Sequence, residues 1–201
     1  MKTLIIGTKN QAKVQQLKGA LAVLHLDVIG LPENIAIPEV IEDGKSAREN
    51  AKKKAVAYAQ FLETIVLSMD NALYLDGLDG TLQPGINVRR IPDSIGRPTD
   101  DELRDYYSKL IGGLGEKING RWEFAVCIAK SNGDIYETTI ISPRIFTAKP
   151  SANAVSGYPL ESLQIEPQSG KYISDMNQEE QDRFWQEAIG TELCRFVSSV
   201  I

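Results

Sequence analysis

Residues 3–21, TLIIGTKNQAKVQQLKGAL, decide the architecture. Thr3 to Ile6 is a short apolar run of the kind that forms a buried strand. Asn10 is a residue type that caps helices. Val14, Leu17 and Leu21 then recur at i, i+3 and i+7, the period of a helix with one apolar face. A buried strand that passes through a tight polar turn into an amphipathic helix is the opening unit of an α/β fold.

The alternation continues outward from this unit. Leu26 to Leu31 reads as a second strand, and Leu31 to Gly44, with Pro32 and Pro38, as a loop. Ser46 and Glu49 fit a capping box. The helix that follows places Ala51, Ala55, Tyr58 and Leu62 on one face and turns Lys52 and Lys53 to water. Thr64 to Ser68 is the next buried strand and delivers Asp70 at its C-terminal end, where ligands bind in open α/β sheets. Residues 77–86, GLDGTLQPGI, are rich in turn residues, and Asp76 and Asp79 read as turn formers. Thr99 and Glu102 mark another capped helix. GRWEFAVCIAK and DIYETTII flank Ser131-Asn132-Gly133-Asp134, a hairpin signal. Gln178 to Val200 reads as one C-terminal helix. The expected fold is α/β, with an elongated mixed central sheet and flanking helices.

Composition narrows the chemistry. The 201 residues are 42% hydrophobic and 24% charged, which suits a single globular domain over residues 1–201. The net charge of −5 disfavours nucleic-acid polymers as partners. No run has the length of a membrane span. MKTLIIGTKN lacks the h-region of a signal peptide, so a cytoplasmic location is expected. Cys127 and Cys194 lie in apolar segments without metal-ligand spacing and read as buried free thiols. His25 is the single histidine, and its apolar surroundings read as structural. Ser-His-Asp or Cys-His catalysis has little to draw on. Acid–base work falls to carboxylates, lysines, a metal or water. Trp122 and Trp185 read as core residues.

Four segments carry candidate chemistry. In GTKNQAK, residues 7–13, the turn and helix N-terminus point N–H donors outward, and Thr8, Asn10 and Lys13 add side-chain groups. The segment reads either as a phosphate cradle or as a plain cap with a surface lysine. In residues 42–55, Glu42 and Lys54 come from one loop–helix unit and suit a Mg²⁺-nucleotide site. Asp70, ending a buried strand, can bind a metal or take a proton from an attacking water. Arg89 and Arg90 have the reach to meet a phosphate. Gly170 and Lys171 precede a helix with a cap at Asn177, an arrangement shared by anion sites and surface turns.

Taken in order, these segments resemble the inosine triphosphate pyrophosphatase family. Its T-x-N-x-x-K motif matches Thr8, Asn10 and Lys13. Its E-x-G-x-[ST]-x-x-x-N-A-x-x-K-A motif matches Glu42, Gly44, Ser46, Asn50, Ala51, Lys54 and Ala55, with Ala47 where phenylalanine is usual. Its D-D-S-G-L segment and P-G-[IV] turn resemble residues 69–73, Pro84, Gly85, Ile86 and Arg90. RWEFAVCIA and GKYISDM are similar to further family segments. The resemblance implies two lobes around a cleft, a homodimer, and the reaction of a nucleoside triphosphate with water to give a monophosphate and pyrophosphate with Mg²⁺, or Mn²⁺ in its place. It implies that Thr8, Asn10 and Lys13 contact the triphosphate, that Glu42 and Asp70 hold the metal, and that Lys54 and Asp70 serve catalysis. Arg90 and Lys171 are the further substrate contacts it suggests.

The departures fall in three segments. Met69 stands where the family has a second acid. VSGYPLESL replaces the [FW]-G-[YW]-D-P segment that packs on the base. Gln181, Gln186 and Glu187 replace the lysine, histidine and arginine of the E-E-K-N-x-x-S-H-R segment. The phosphate and metal half of the expected site is largely retained, and its base-reading half is largely rewritten. The reading is therefore a pyrophosphohydrolase with altered base preference. Its alternative is a nucleotide-binding sensor of the same fold that no longer turns over substrate.

Overall fold

A computed structural model describes residues 2–92 and 94–201. The first unit forms as its sequence dictates. Strand β1 (Lys2–Ile6) ends at Gly7, and helix α1 (Gln11–Ala20) begins under the Asn10 cap. Asn10 Oδ1 accepts from the backbone N–H groups of Ala12 and Lys13 at 3.0 and 3.3 Å, satisfying donors that the first helical turn leaves open. Strand β2 (Leu26–Gly30) returns parallel to β1, pairing Leu4 with Val28.

Helix α2 (Ala47–Leu62) starts at the Ser46 cap, whose Oγ accepts from Glu49 N at 3.2 Å. The reciprocal half of the expected capping box does not form. The Glu49 carboxylate instead accepts from Lys45 N, one residue earlier, at 2.8 Å. Ala51, Ala55 and Tyr58 are buried as expected. Lys52 and Lys53 reach solvent but are also paired, Lys52 with Glu137 and Lys53 with Asp43. Helix α2 closes on Glu63, which adopts φ 52° and ψ 36°. An L-residue other than glycine pays roughly 1–2 kcal/mol to sit there. Glu63→Gly is therefore expected to raise the unfolding free energy by about 1 kcal/mol, measured by urea denaturation; an unchanged midpoint would contradict this.

Strand β3 (Val66–Leu75) lies parallel to β1, with Ile5 opposite Val66 and Ile6 opposite Leu67. It does not end near Asp70. Ala72, Leu73 and Leu75 are buried and carry the strand five residues further. Asp70 is thus a mid-strand residue. What ends beside it is β1. Helix α3 (Asp100–Leu114) has the complete Thr99–Glu102 capping box. Strands β4 (Lys117–Ala129) and β5 (Ile135–Thr147) join through the expected turn, where Gly133 has φ 96° and Asn132 Oδ1 accepts from Asp134 N. The two-residue β6 (Gln164–Ile165) pairs antiparallel with β5. The sheet order is β2-β1-β3-β4-β5-β6, and the α/β fold with a mixed sheet is as expected. The C-terminal segment is helical but not uniform. Helix α4 (Gln178–Trp185) and helix α5 (Thr191–Val200) are joined by a π-turn over Gln186–Gly190, in which Thr191 N donates to Gln186 O.

The chain forms two compact units. The first comprises Met1–Asn71, Glu123–Ile141 and Asp182–Ile201. Its buried residues include Leu4, Ile6, Leu17, Ala55, Leu67, Ile189 and Leu193, and Cys194 Sγ donates to Ala20 O where α5 meets α1. The second comprises Ala72–Trp122 and Ser142–Gln181. Its core joins Leu73, Leu75, Leu103, Tyr107, Ile111, Phe146, Leu160 and Leu163. Trp122, expected in the core, is partly buried at its edge and donates to Gln164 Oε1 at 3.0 Å. Both cysteines are buried free thiols, and burial pushes the Cys127 thiol up to about 12. Among the described residues no helix is long and apolar enough to cross a membrane.

Candidate active site

The candidate residues of the first unit gather where β1 ends alongside the continuing β3. Gly7 makes this close approach possible. A Cβ there would lie 2.3 Å from Ser68 Oγ and 2.8 Å from Val66 Cγ1. Gly7 N donates to Leu67 O at 2.7 Å, and Ser68 Oγ donates to Gly7 O at 3.0 Å. The loop after β1 is thereby pinned to β3 from both sides. Thr8 Oγ1 accepts from Asn10 N at 3.2 Å. The side-chain oxygens of Thr8 and Asn10 therefore shape the loop, and the groups they retain for a ligand are donors, the hydroxyl hydrogen and the Nδ2 amide. Donors at a helix N-terminus are what an anion requires.

Lys13 follows one turn into α1. Its Nζ donates to Met69 O at 3.3 Å and lies 3.9 Å from Asp70 Oδ1. Lys54 approaches the same carboxylate from α2, at 3.7 Å, and bonds Glu42 Oε2 at 2.7 Å. The side chain of Lys54 is only 7% exposed, that of Asp70 16% and that of Glu42 47%. A buried ammonium is costly unless paired, and here two carboxylates from distant parts of the chain converge on it. Tyr58 lies behind Gly7; burial, and then the Glu42 and Glu39 charges, raise its pKa.

Asn50 is a site residue whose role the sequence alone did not assign. It is buried, and its Oδ1 accepts from Gly44 N at 2.8 Å. A Cβ on residue 44 would fall 2.5 Å from that oxygen, so the spacing of Gly44 and Asn50 is a packing requirement. The bond fixes the loop bearing Glu42 onto the helix bearing Lys54. Asn50→Ala is expected to cost about 1–3 kcal/mol by leaving a buried N–H unpaired, and to lower kcat. Asn50→Asp, which keeps the acceptor, is expected to lose less. Denaturation curves and steady-state rates for both check this; equal losses in the two variants would count against the acceptor role.

The remaining candidates lie in the second unit. Arg90 is exposed in the turn Asn87–Arg90. Its neighbour Arg89 is committed to structure, bonding Asp100 Oδ1 at 2.6 Å and Gly157 O at 3.1 Å. Lys171 Nζ bonds Glu180 Oε1 at 2.6 Å, while Glu180 Oε2 and Asn177 Oδ1 cap the start of α4 reciprocally. Met69, where a second acid was anticipated, is buried and apolar. The residues at the rewritten positions have structural uses. Gln181 Nε2 donates to Met176 O, and Gln186 opens the π-turn and hydrogen-bonds Cys194. Glu187 is exposed. Trp185 is half-buried in the first unit and meets Phe124 and Phe184 edge to face at 6.3 and 5.1 Å.

Two carboxylates that share one cation form a hard oxygen-donor pair, and such a pair fits a small divalent ion completed by phosphate oxygens. Glu42 and Asp70 are that pair. Among the described residues no group of three or more His, Cys, Asp or Glu side chains is placed to hold a metal.

Two lysines and two carboxylates gathered at the end of β1, beside a loop that offers hydrogen-bond donors, are the groups that a phosphorylated ligand with a divalent ion requires. The chain belongs to the Ham1 family, whose model matches residues 4–189. A protein of Exiguobacterium sp. named dITP/XTP pyrophosphatase is 32% identical over 184 residues, covering 88% of this chain and 87% of the relative. One of Shouchella clausii with the same name is 28% identical over 180 residues, covering 88% and 86%. Among solved structures, the Ham1 protein of Staphylococcus aureus superimposes with a TM-score of 0.73 at 20% identity, covering 98% of this chain and 99% of its own. A HAM1 protein from Coxiella burnetii gives 0.74 at 15% identity, covering both chains fully. These two show the same fold.

Proposed function

We propose that the chain is a divalent-metal-dependent nucleoside triphosphate pyrophosphohydrolase, converting a non-canonical nucleoside triphosphate and water to a monophosphate and pyrophosphate. The observation that carries this reading is the convergence of Lys13, Lys54, Asp70 and Glu42 beside the Thr8–Asn10 loop, in a chain whose curated relatives are dITP/XTP pyrophosphatases. The family match runs through both compact units, which supports residues 1–201 acting as one pyrophosphatase domain. A homodimer in the cytoplasm is part of the proposal.

The loop donors and Lys13 hold the triphosphate. Lys54 neutralises charge that develops on the phosphates. Asp70 orients a water and accepts its proton. Glu42 and Asp70 would hold Mg²⁺, or Mn²⁺ in its place, which when bound polarises phosphoryl oxygens. Base preference is proposed to differ from the relatives' because Gln181, Gln186 and Glu187 are uncharged or acidic where cations were anticipated. A pocket built on hydrogen bonds to one base rejects others by roughly 10⁴-fold or more. Losing those groups should narrow the gap.

The test is a panel of ribo- and deoxyribonucleoside triphosphates with Mg²⁺ or Mn²⁺, with phosphate read with and without added inorganic pyrophosphatase. Phosphate that appears only with the coupling enzyme, with a kcat/KM ratio of inosine to adenosine triphosphate well below about 10⁴, is the expected result. Thermal stabilisation by nucleotides without turnover of any would support a sensor instead.

A further inference from the structure

We propose that the free protein closes its own cation site with lysines, so that the divalent ion is bound only once the triphosphate has drawn those lysines away. The inference rests on the pyrophosphohydrolase reading and deepens it. In the structure each carboxylate assigned to the ion faces an ammonium. Lys54 Nζ lies 2.7 Å from Glu42 and 3.7 Å from Asp70, and Lys13 Nζ lies 3.9 Å from Asp70. The two ammonium groups offset the two carboxylates they face, which weakens the attraction the pair offers a free dication. Met69 adds an apolar side chain where a further acid would have tipped the balance. Lys54, 7% exposed, has few places to go unless another anion takes it.

A triphosphate is such an anion. Its oxygens compete for both ammonium groups, and each lysine that turns to phosphate uncovers a carboxylate. The ion then meets Glu42, Asp70 and phosphate oxygens together, which suits a cation that keeps much of its water and is bound by one or two carboxylates plus substrate. Linkage makes the coupling reciprocal: nucleotide raises metal affinity by the same factor by which metal raises nucleotide affinity.

The experiment follows Mn²⁺ on the whole protein by water-proton relaxation enhancement, which rises when the ion is held on the macromolecule. The nucleotide probe is the α,β-methylene analogue of the best substrate from the panel. Wild type alone is expected to give little enhancement, and the analogue to tighten Mn²⁺ binding by at least about tenfold. With a chelator and no metal, the analogue alone should still raise Tm. Lys54→Met, without any nucleotide, should bind Mn²⁺ more tightly than wild type because its carboxylates are uncovered. Lys13→Met makes the same test at Asp70 should Lys54→Met fail to fold. Mn²⁺ bound equally well by wild type with and without analogue would overturn the inference and leave the pyrophosphohydrolase reading standing. So would lysine variants that bind Mn²⁺ no better than wild type. An analogue that binds under no condition would sink that reading, and the inference with it.

Discussion

Asp70→Asn is expected to lower kcat by about 10³-fold while leaving nucleotide binding measured without metal intact or tighter. The substitution keeps the size and shape of the side chain. It removes the group proposed to take the proton from water, and one of two proposed ligands to the metal. It also removes a negative charge that lies 3.7 and 3.9 Å from the two lysines assigned to the triphosphate. Those lysines are then freer to bind phosphate, so affinity should not fall with rate. The split between kcat and affinity separates a chemical role from a structural one. Binding of the non-hydrolysable analogue and single-turnover rates on the same preparation check it, and a fully active variant would remove Asp70 from the mechanism.

The second large effect concerns stability and pH. Glu161 sits in the 3-10 turn Pro159–Leu163 of the second unit, 5% exposed. Burial pushes its carboxyl up to about 7, against an opposing pull from Arg144, which is itself buried. A carboxyl whose folded pKa lies above its unfolded value of 4.5 favours the folded state in its protonated form. That contribution is complete below pH 4.5 and is lost as pH rises through about 7. The loss is on the order of 3 kcal/mol at full ionisation. Tm of the wild type is therefore expected to fall between about pH 5 and 8 relative to Glu161→Gln, in which position 161 no longer titrates. Parallel Tm curves for the two proteins would show that Glu161 has no such linkage.

Local features of this chain were legible in its sequence. The Asn10 cap, the Thr99–Glu102 capping box and the Asn132-Gly133 turn each depend on residues within a few positions of one another. Their chemistry acts locally, and all three form. The Ser46–Glu49 box is half right because the backbone bend at Lys45 offers Glu49 a different N–H. The extent of β5 was not legible. Buried positions beyond Ile141 are Ser142, Arg144, Phe146 and Thr147, the first three separated by Pro143 and Ile145, and a buried serine and arginine around a proline do not look like a strand face. The π-turn at Gln186–Gly190 was hidden for another reason. A Cβ on residue 190 would fall 2.6 Å from Gln186 Cδ, a constraint that exists only once the helix is built.

The site divides the same way. Thr8, Asn10 and Lys13 could be read as one loop, and Glu42 and Lys54 as one loop–helix unit. That Asp70 completes a cluster with both lysines depends on β1 and β3 lying side by side, a long-range pairing that spacing along the chain does not reveal. The use of Asn50 as the clasp on Gly44 likewise needed the folded loop. Spacing showed the charge-bearing motifs one at a time; their convergence, which carries the proposed chemistry, was expected only from the family resemblance.

The most direct test of the proposed reaction identifies the bond that breaks. Purified protein, Mg²⁺ and deoxyinosine triphosphate would be followed by ³¹P NMR without any coupling enzyme. The proposal predicts a growing pyrophosphate resonance matched by the monophosphate, and no signal from a diphosphate. A nucleoside diphosphate with inorganic phosphate, or a spectrum that never changes with this or any other triphosphate, would contradict it.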